Sequence, residues 1–148
     1  MHIRPYTEND YPAVLEIYRR TKLDELRFEE KTFELLPLEQ DERRYAQFRA
    51  SDIYVFDNGC VVAYGAVCGS EIRGLYVLPE MRGQGIGRRL LTFLLSKMAG
   101  PVDLYVAKTN APAKRLYRNF GFSVVDEFET DYNGVPVFAN KMTRRPLA

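Results

Sequence analysis

The residues best suited to chemistry lie in one stretch, Glu71 to Ala99, with the sequence EIRGLYVLPEMRGQGIGRRLLTFLLSKMA. It reads as a strand from Glu71 to Leu78, stopped by Pro79, then a glycine-spaced turn from Arg82 to Gly87 and a helix reaching about Ala99. Gly83, Gly85 and Gly87 carry no side chain to hold a ligand off the backbone, and the first N–H groups of a helix have no partner inside it. Such a unit binds a phosphate or pyrophosphate, helped by the positive end of the helix dipole. The spacing excludes G-x-G-x-x-G, and no Lys-Ser or Lys-Thr follows to complete a P-loop. A second chemical stretch is NAPAKRLYRNFGF, Asn110 to Phe122, in which Asn110 fits a helix cap and Tyr117 a core aromatic at helical spacing. Glu71 is a carboxylate at the start of the strand that leads into the turn.

Arg82-x-x-Gly85-x-Gly87 resembles the acetyl-CoA motif Q/R-x-x-G-x-G/A of the GCN5-related N-acetyltransferase superfamily, and LYVLPE looks like the strand before its pyrophosphate loop. Asn110, Tyr117 and Gly121-Phe122 are similar to that family's N-x-x-A-x-x-x-Y-x-x-x-G-F pattern, with the alanine displaced to Ala111 and Ala113. The resemblance covers roughly Glu71 to Phe122. It implies acetyl-CoA as donor, held by Leu75, Tyr76, Val77, Arg82, Gly83, Gln84, Gly85, Ile86, Gly87 and Arg88. It further implies Asn110 on the pantetheine arm and Tyr117 beside the sulfur. The backbone N–H of Val77 or its neighbour would serve the oxyanion, and Arg88 with the amides of Gly83 to Gly87 would take the pyrophosphate. Glu71, six residues before Val77, matches the offset of the general base in the histone acetyltransferase branch, and strand alternation puts it on the face of Arg73, Leu75 and Val77. Where the branch acting on ribosomal-protein N-termini carries a glutamate, five residues before the motif Asn, this chain has Tyr105.

The implied reaction sets its own requirements. A lysine-type amine, pKa near 10.4, costs roughly 4.6 kcal/mol to deprotonate at pH 7, an α-amine about 1 kcal/mol, so a base matters more for the first. Proton transfer from a tyrosine near 10 to a thiolate near 8.5 is uphill by about 2 kcal/mol, which makes Tyr117 a hydrogen-bond donor to the leaving group first and a proton source second. A primary amine is the acceptor in this reading. The alternative is a catalytically silent acetyl-CoA or CoA sensor, which keeps cofactor binding and yields no product.

The remaining residues supply the frame. At 148 residues and 46% apolar, the chain suits one domain, residues 1–148, with a sizeable core. The expected order is strand Ile3–Tyr6, a helix from about Asp10 to Arg20, an irregular acidic region Thr21–Ala50, and a hairpin Ser51–Phe56 and Cys60–Cys68 around Asp57-Asn58-Gly59. The central strand and helix follow, with Ile86, Leu90, Phe93, Leu94 and Met98 on the buried face, then strand Val102–Ala107, helix Ala111–Phe120, and a hairpin Phe122–Phe128 and Val135–Met142 around Asn133-Gly134. This is an α/β (α+β) fold, one mixed central sheet with helices on both faces. Acids crowd Asp24 to Glu42 and bases crowd Arg82 to Arg118. Acid there and in Glu127 to Asn133, where the family binds its acceptor, favours a cationic small molecule or a lysine or peptide amine. The composition points to no nucleic acid, no membrane and no metal: His2 is the only histidine, and no apolar run nears the roughly eighteen residues of a span. A cytoplasmic location is expected, with Cys60 and Cys68 as reduced, half-buried thiols, and an edge strand of the C-terminal hairpin could pair with a second copy as a homodimer.

Overall fold

A computed structural model describes residues 2–146. Seven strands form one sheet in the order β1-β2-β3-β4-β5-β7-β6, where β1 is His2–Pro5, β2 Asp52–Asp57, β3 Val61–Cys68, β4 Glu71–Val77, β5 Val102–Ala107, β6 Phe122–Tyr132 and β7 Val135–Arg144. Only β4 and β5 are parallel; every other neighbouring pair is antiparallel. That single parallel contact needs a crossover, and α3 (Ile86–Ser96) supplies it. Helices α1 (Tyr11–Thr21) and α2 (Glu42–Arg49) cover one face, where Val14, Ile17 and Phe48 meet Val55, Tyr64 and Tyr76. On the other face α3 and α4 (Ala111–Asn119) pack Leu91, Leu94 and Leu116 on Leu104, Phe122 and Met142.

Local chemistry accounts for most of these elements. Asn133 and Gly134 both take positive φ, 50° and 81°, which closes β6 and β7 through a two-residue turn with Tyr132 opposite Val135. In the first hairpin Gly59 alone takes positive φ, at 111°, and Asp57 Oδ1 accepts its N–H at 2.9 Å. At Gly65 a Cβ would stand 2.7 Å from Leu94 Cδ1, so the missing side chain is what lets α3 lie close on β3. Leu91, outside the expected buried face of α3, is fully buried, while Phe93 and Met98 are half-buried at its margin.

The acidic segment, opaque to periodicity, folds as a 3₁₀ turn at Lys22–Leu26, an irregular strap and then α2, capped by Asp41 Oδ1, which accepts from Arg44 N. The strap is pinned to the C-terminal hairpin: Leu36 N–H donates to the Tyr132 hydroxyl at 2.8 Å and Lys31 Nζ to Pro136 O at 3.0 Å. Beneath it Leu26, Ala107, Tyr132 and Val137 form a small core of their own. Both C-terminal strands outrun their expected ends: β6 continues to Tyr132, where the strap packs on it, and β7 continues to Arg144, where it pairs with Val102 of β5 and Phe122 of β6. Cys60 precedes β3 and is exposed; Cys68 is half-buried, and both thiols are free. No helix among the described residues is long and apolar enough to cross a membrane.

The feature that builds the site is a bulge in β4. Ala66 pairs with Gly74 and Val67 with Ile72, which leaves Arg73 as an extra residue. Past it the alternation is shifted: Ile72, Leu75 and Val77 all pack toward α3, while Tyr76 packs toward α1. Glu71 therefore does not share a face with Leu75 and Val77, contrary to the expectation from strict strand alternation. A bulge bends its strand, and the β4–β5 ladder ends at Ile72 opposite Leu104, opening a gap between the strands.

Candidate active site

The gap between β4 and β5 widens into a cleft of about 450 Å³. Leu75, Tyr76 and Val77 form one wall and Tyr105, Val106 and Asn110 the other. Leu116 and Tyr117 of α4, together with the glycine turn, close the far side. Antiparallel ladder geometry sets what the first wall offers. Leu78 N–H donates to Val62 O on β3 at 3.0 Å, so with Val77 opposite Ala63 and Leu75 opposite Gly65 the backbone groups of Leu75 and Val77 face away from β3, into the gap. The Val77 carbonyl already does so, accepting from Arg82 Nε at 3.2 Å. Two strand N–H groups thus look into a cleft where the neighbouring strand has withdrawn.

The glycine turn lies at the end of the same cleft. Gly83 and Gly85 hold left-handed conformations, φ 77° and 80°, with nothing within 4 Å of where a Cβ would stand. The first hydrogen bond of α3 runs from Arg89 N–H to Gly85 O at 3.0 Å, so the amides of Ile86, Gly87 and Arg88 have no helical acceptor. Arg88 is exposed at the cleft mouth, whereas the Arg89 guanidinium lies 5.0 Å from the Phe56 ring. Arg82 is engaged: besides the Val77 carbonyl it meets Asp24 at 2.9 Å, tying the turn to the segment after α1.

Asn110 is buried and caps α4, its Oδ1 accepting from Ala113 N at 3.4 Å, and it also lines the cleft. Tyr117 stands edge-on to Phe122 at 5.9 Å. Burial pushes its phenol above the usual range, and the charge of Glu25 adds to the shift, so the hydroxyl keeps its proton at neutral pH and is a donor. Of the residues singled out in the sequence, Leu75, Tyr76, Val77, Arg82, Gly83, Gly85, Ile86, Gly87, Arg88, Asn110 and Tyr117 all line this cleft. Gln84 is exposed on the turn and lies outside the lining. Glu71 also lies outside it, opposite Asp103 where β4 and β5 are still paired, with Arg73 Nε at 3.6 Å. The carboxylates that line the cleft are Asp24 and Glu25, on the 3₁₀ turn after α1. The acidic run held them, but only the packing of that turn against the cleft separates them from their neighbours.

The sequence model described as the Acetyltransferase (GNAT) family matches residues 11–122, three quarters of the chain. This chain belongs to that family. The peptidyl-lysine N-acetyltransferase YjaB of Salmonella typhimurium is 31% identical over 84 residues, a match that spans 57% of this GNAT chain and 57% of that protein. Two solved structures have the same fold over nearly the whole chain. The ribosomal-protein-alanine N-acetyltransferase of Brucella melitensis superposes with a TM-score of 0.73 at 23% identity, covering 99% of this chain and 100% of that one. The phosphinothricin acetyltransferase of Sinorhizobium meliloti, in complex with AcCoA, gives 0.72 at 21% identity, covering 97% and 87%. These three proteins are named for different acceptors, so the GNAT fold leaves the acceptor open. Among the described residues no group of three His, Cys, Asp or Glu is placed to hold a metal.

Proposed function

We propose that this protein is an N-acetyltransferase that moves the acetyl group of acetyl-CoA directly to a primary amine. The observation that carries the reading is the convergence, in one cleft, of the unpartnered α3 amides, the strand N–H groups of Leu75 and Val77, and the protonated Tyr117 hydroxyl. The glycine turn and Arg88 suit a pyrophosphate, a dianion that needs N–H donors and a cation and no side-chain bulk. Asn110, which lines the cleft, is the side chain we assign to an amide of the extended arm. The donor supplies an activated acyl group, and this chain's part is to orient it and to meet the charge that develops. The Val77 N–H is the donor for the carbonyl oxygen as it becomes negative. Tyr117 donates to the sulfur as the C–S bond lengthens, and its raised pKa favours a hydrogen bond during bond breaking over outright proton transfer.

The amine must lose a proton, and two carboxylates compete for that role. Glu71 has the expected offset but is turned to Arg73 outside the cleft; Glu25 lines the cleft, with Lys22 Nζ at 2.6 Å. We put the proton on water within reach of Glu25. A silent CoA sensor is the second reading, favoured by the engagement of Arg82 with Asp24, which leaves Arg88 as the cation for the phosphates. Pairing of two copies along the free edge of β6 belongs to the proposal as well: Val125 is exposed there, and Asp126, Glu127 and Glu129 oppose it. Sedimentation velocity reads that outcome. For the activity itself, thermal stability is measured with acetyl-CoA, CoA and ATP, followed by thiol release over a panel of amines. Stabilisation by both CoA species but not ATP, with amine-dependent thiol release, supports the enzyme; stabilisation without thiol release supports the sensor; no stabilisation by either CoA species overturns both.

A further inference from the structure

Behind β4, on the face covered by α1 and α2, lies a second, narrower cavity of about 70 Å³. Its charged lining is Lys22, Arg44 and Arg73, with no carboxylate. Their partners Glu25, Asp41 and Glu71 lie outside that lining, at 2.6, 2.9 and 3.6 Å. The last distance is beyond a hydrogen bond, and the buried Arg73 Nε has no acceptor among the described residues. Tyr18, 3% exposed, also lines the cavity, and its buried hydroxyl has no partner either. Buried groups of this kind are nearly always completed by something. Lys22 and Arg44 are already paired, and a third buried atom without a hydrogen-bond partner, Glu25 Oε1, lies outside the lining beside Lys22. The two unpartnered donors of the lining, Arg73 Nε and the Tyr18 hydroxyl, both call for an acceptor, which a small oxyanion supplies and a cation does not.

The position of the cavity says what the anion belongs to. Arg73, Gly74 and Tyr76 line both this cavity and the cleft, so β4 is a shared wall. The volume is about that of two waters, enough for a carboxylate and not for a large ligand. The acids that suggested a cationic acceptor are largely occupied within the protein: Asp24 by Arg82, Glu25 by Lys22, Glu29 by the Thr109 hydroxyl, Glu39 by the Tyr11 hydroxyl and Asp41 by Arg44. We propose that the acceptor is a small zwitterion of the amino-acid type, its carboxylate or similar oxyanion held by Arg73 and the Tyr18 hydroxyl while its amine is presented to the cleft. This rests on the acetyltransferase reading above. In the transfer, the free-base nitrogen forms the C–N bond as the C–S bond breaks, the sulfur takes up one proton to leave as thiol, and the proton that made the amine an ammonium goes to water.

The test compares L-methionine and L-alanine with their α-amides, and with spermidine, in the thiol-release assay. The amides have the lower amine pKa and hold more free base at neutral pH, so reactivity alone favours them. The expected result is the reverse, with kcat/KM for the acids at least about tenfold higher, the scale of one charge-assisted pair. Arg73→Gln should collapse that ratio chiefly through KM, and Tyr18→Phe, which deletes only a hydroxyl, should lower it by a smaller factor. Stabilisation by acetyl-CoA serves as the control for folding. Amides or spermidine equal to or better than the acids, or a ratio unmoved in both variants, overturns the inference while leaving the acetyltransferase intact. If no amine releases thiol, sodium acetate and methylphosphonate still probe the cavity by thermal shift. Stabilisation that Arg73→Gln removes keeps the anion site although the acetyltransferase reading has failed, and identical behaviour of the two proteins overturns it.

Discussion

Substituting alanine at two glycines of one turn should move stability in opposite directions. Gly85 sits at φ 80°, ψ 9° as the cap of α3, and a Cβ there would meet no protein atom within 4 Å. The cost of Gly85→Ala is therefore conformational: about 1–2 kcal/mol for an L-residue in the left-handed region, offset by about 0.4–1 kcal/mol from the less flexible unfolded chain. A net loss near 1 kcal/mol follows. Gly87 is in the first turn of the helix, and its Cβ would rest 3.9 Å from Val77 Cγ2, an ordinary contact. Gly87→Ala therefore stabilises by up to about 1 kcal/mol through helix propensity. For a chain of this length each kcal/mol is worth about 3 °C, so calorimetry without ligand should find the two melting points on either side of the wild type. With acetyl-CoA at 100 times its dissociation constant the wild type gains about 2.7 kcal/mol. Gly85→Ala should forfeit about half of that, a tenfold loss of affinity, because its methyl enters the open space before the α3 amides. Gly87→Ala should keep it. Equal destabilisation by both substitutions, or a Gly85→Ala protein that melts and binds like the wild type, would refute the account of this turn.

Other expectations follow from the same geometry. Tyr117→Phe should cut turnover by about tenfold or more while acetyl-CoA still raises the melting temperature as it does in the wild type; unchanged turnover when chemistry limits the rate would remove Tyr117 from the mechanism. Glu25→Gln should lower kcat by about tenfold and Glu71→Gln by much less, and the reverse order in steady-state kinetics would return the amine's proton to Glu71. The Arg4 guanidinium, at 2.8 and 2.9 Å, holds Asp10 down to about 2, aided by the Thr7 N–H. A lowered carboxylate pKa stabilises above the unfolded value, near 3.9, and that stability is lost as pH falls through the folded one. Asp10→Asn should therefore cost on the order of 2 kcal/mol at pH 7 and progressively less below pH 4, measured by urea unfolding.

Much of the order of elements was legible because its signals are local. A glycine with positive φ, an Asn-Gly pair and a helical apolar stripe act within a few residues of themselves, so the two hairpins, α1, α3 and α4 could be read directly from the chain. The glycine-turn side of the cleft was legible for the same reason, since the turn and the helix it opens are one contiguous stretch. The acidic strap was not: Leu36 is held by Tyr132 and Lys31 by Pro136, contacts with residues about a hundred positions away that no window of sequence contains. Nor could alternation survive an unforeseen extra residue. Period two is reliable only in an unbroken strand, and the bulge at Arg73 moved Glu71 to the face away from Val77 and brought Arg73 toward Tyr18 and Arg44 instead. By itself the sequence determined a glycine turn, the helix whose first amides it leaves free, and the second helix that carries Tyr117, because each is a property of short-range backbone geometry. Which carboxylates reach the cleft, which acids are paired with the protein's own cations, and where buried donors are left without a partner were decided only when the chain folded, because such pairing depends on neighbours in space.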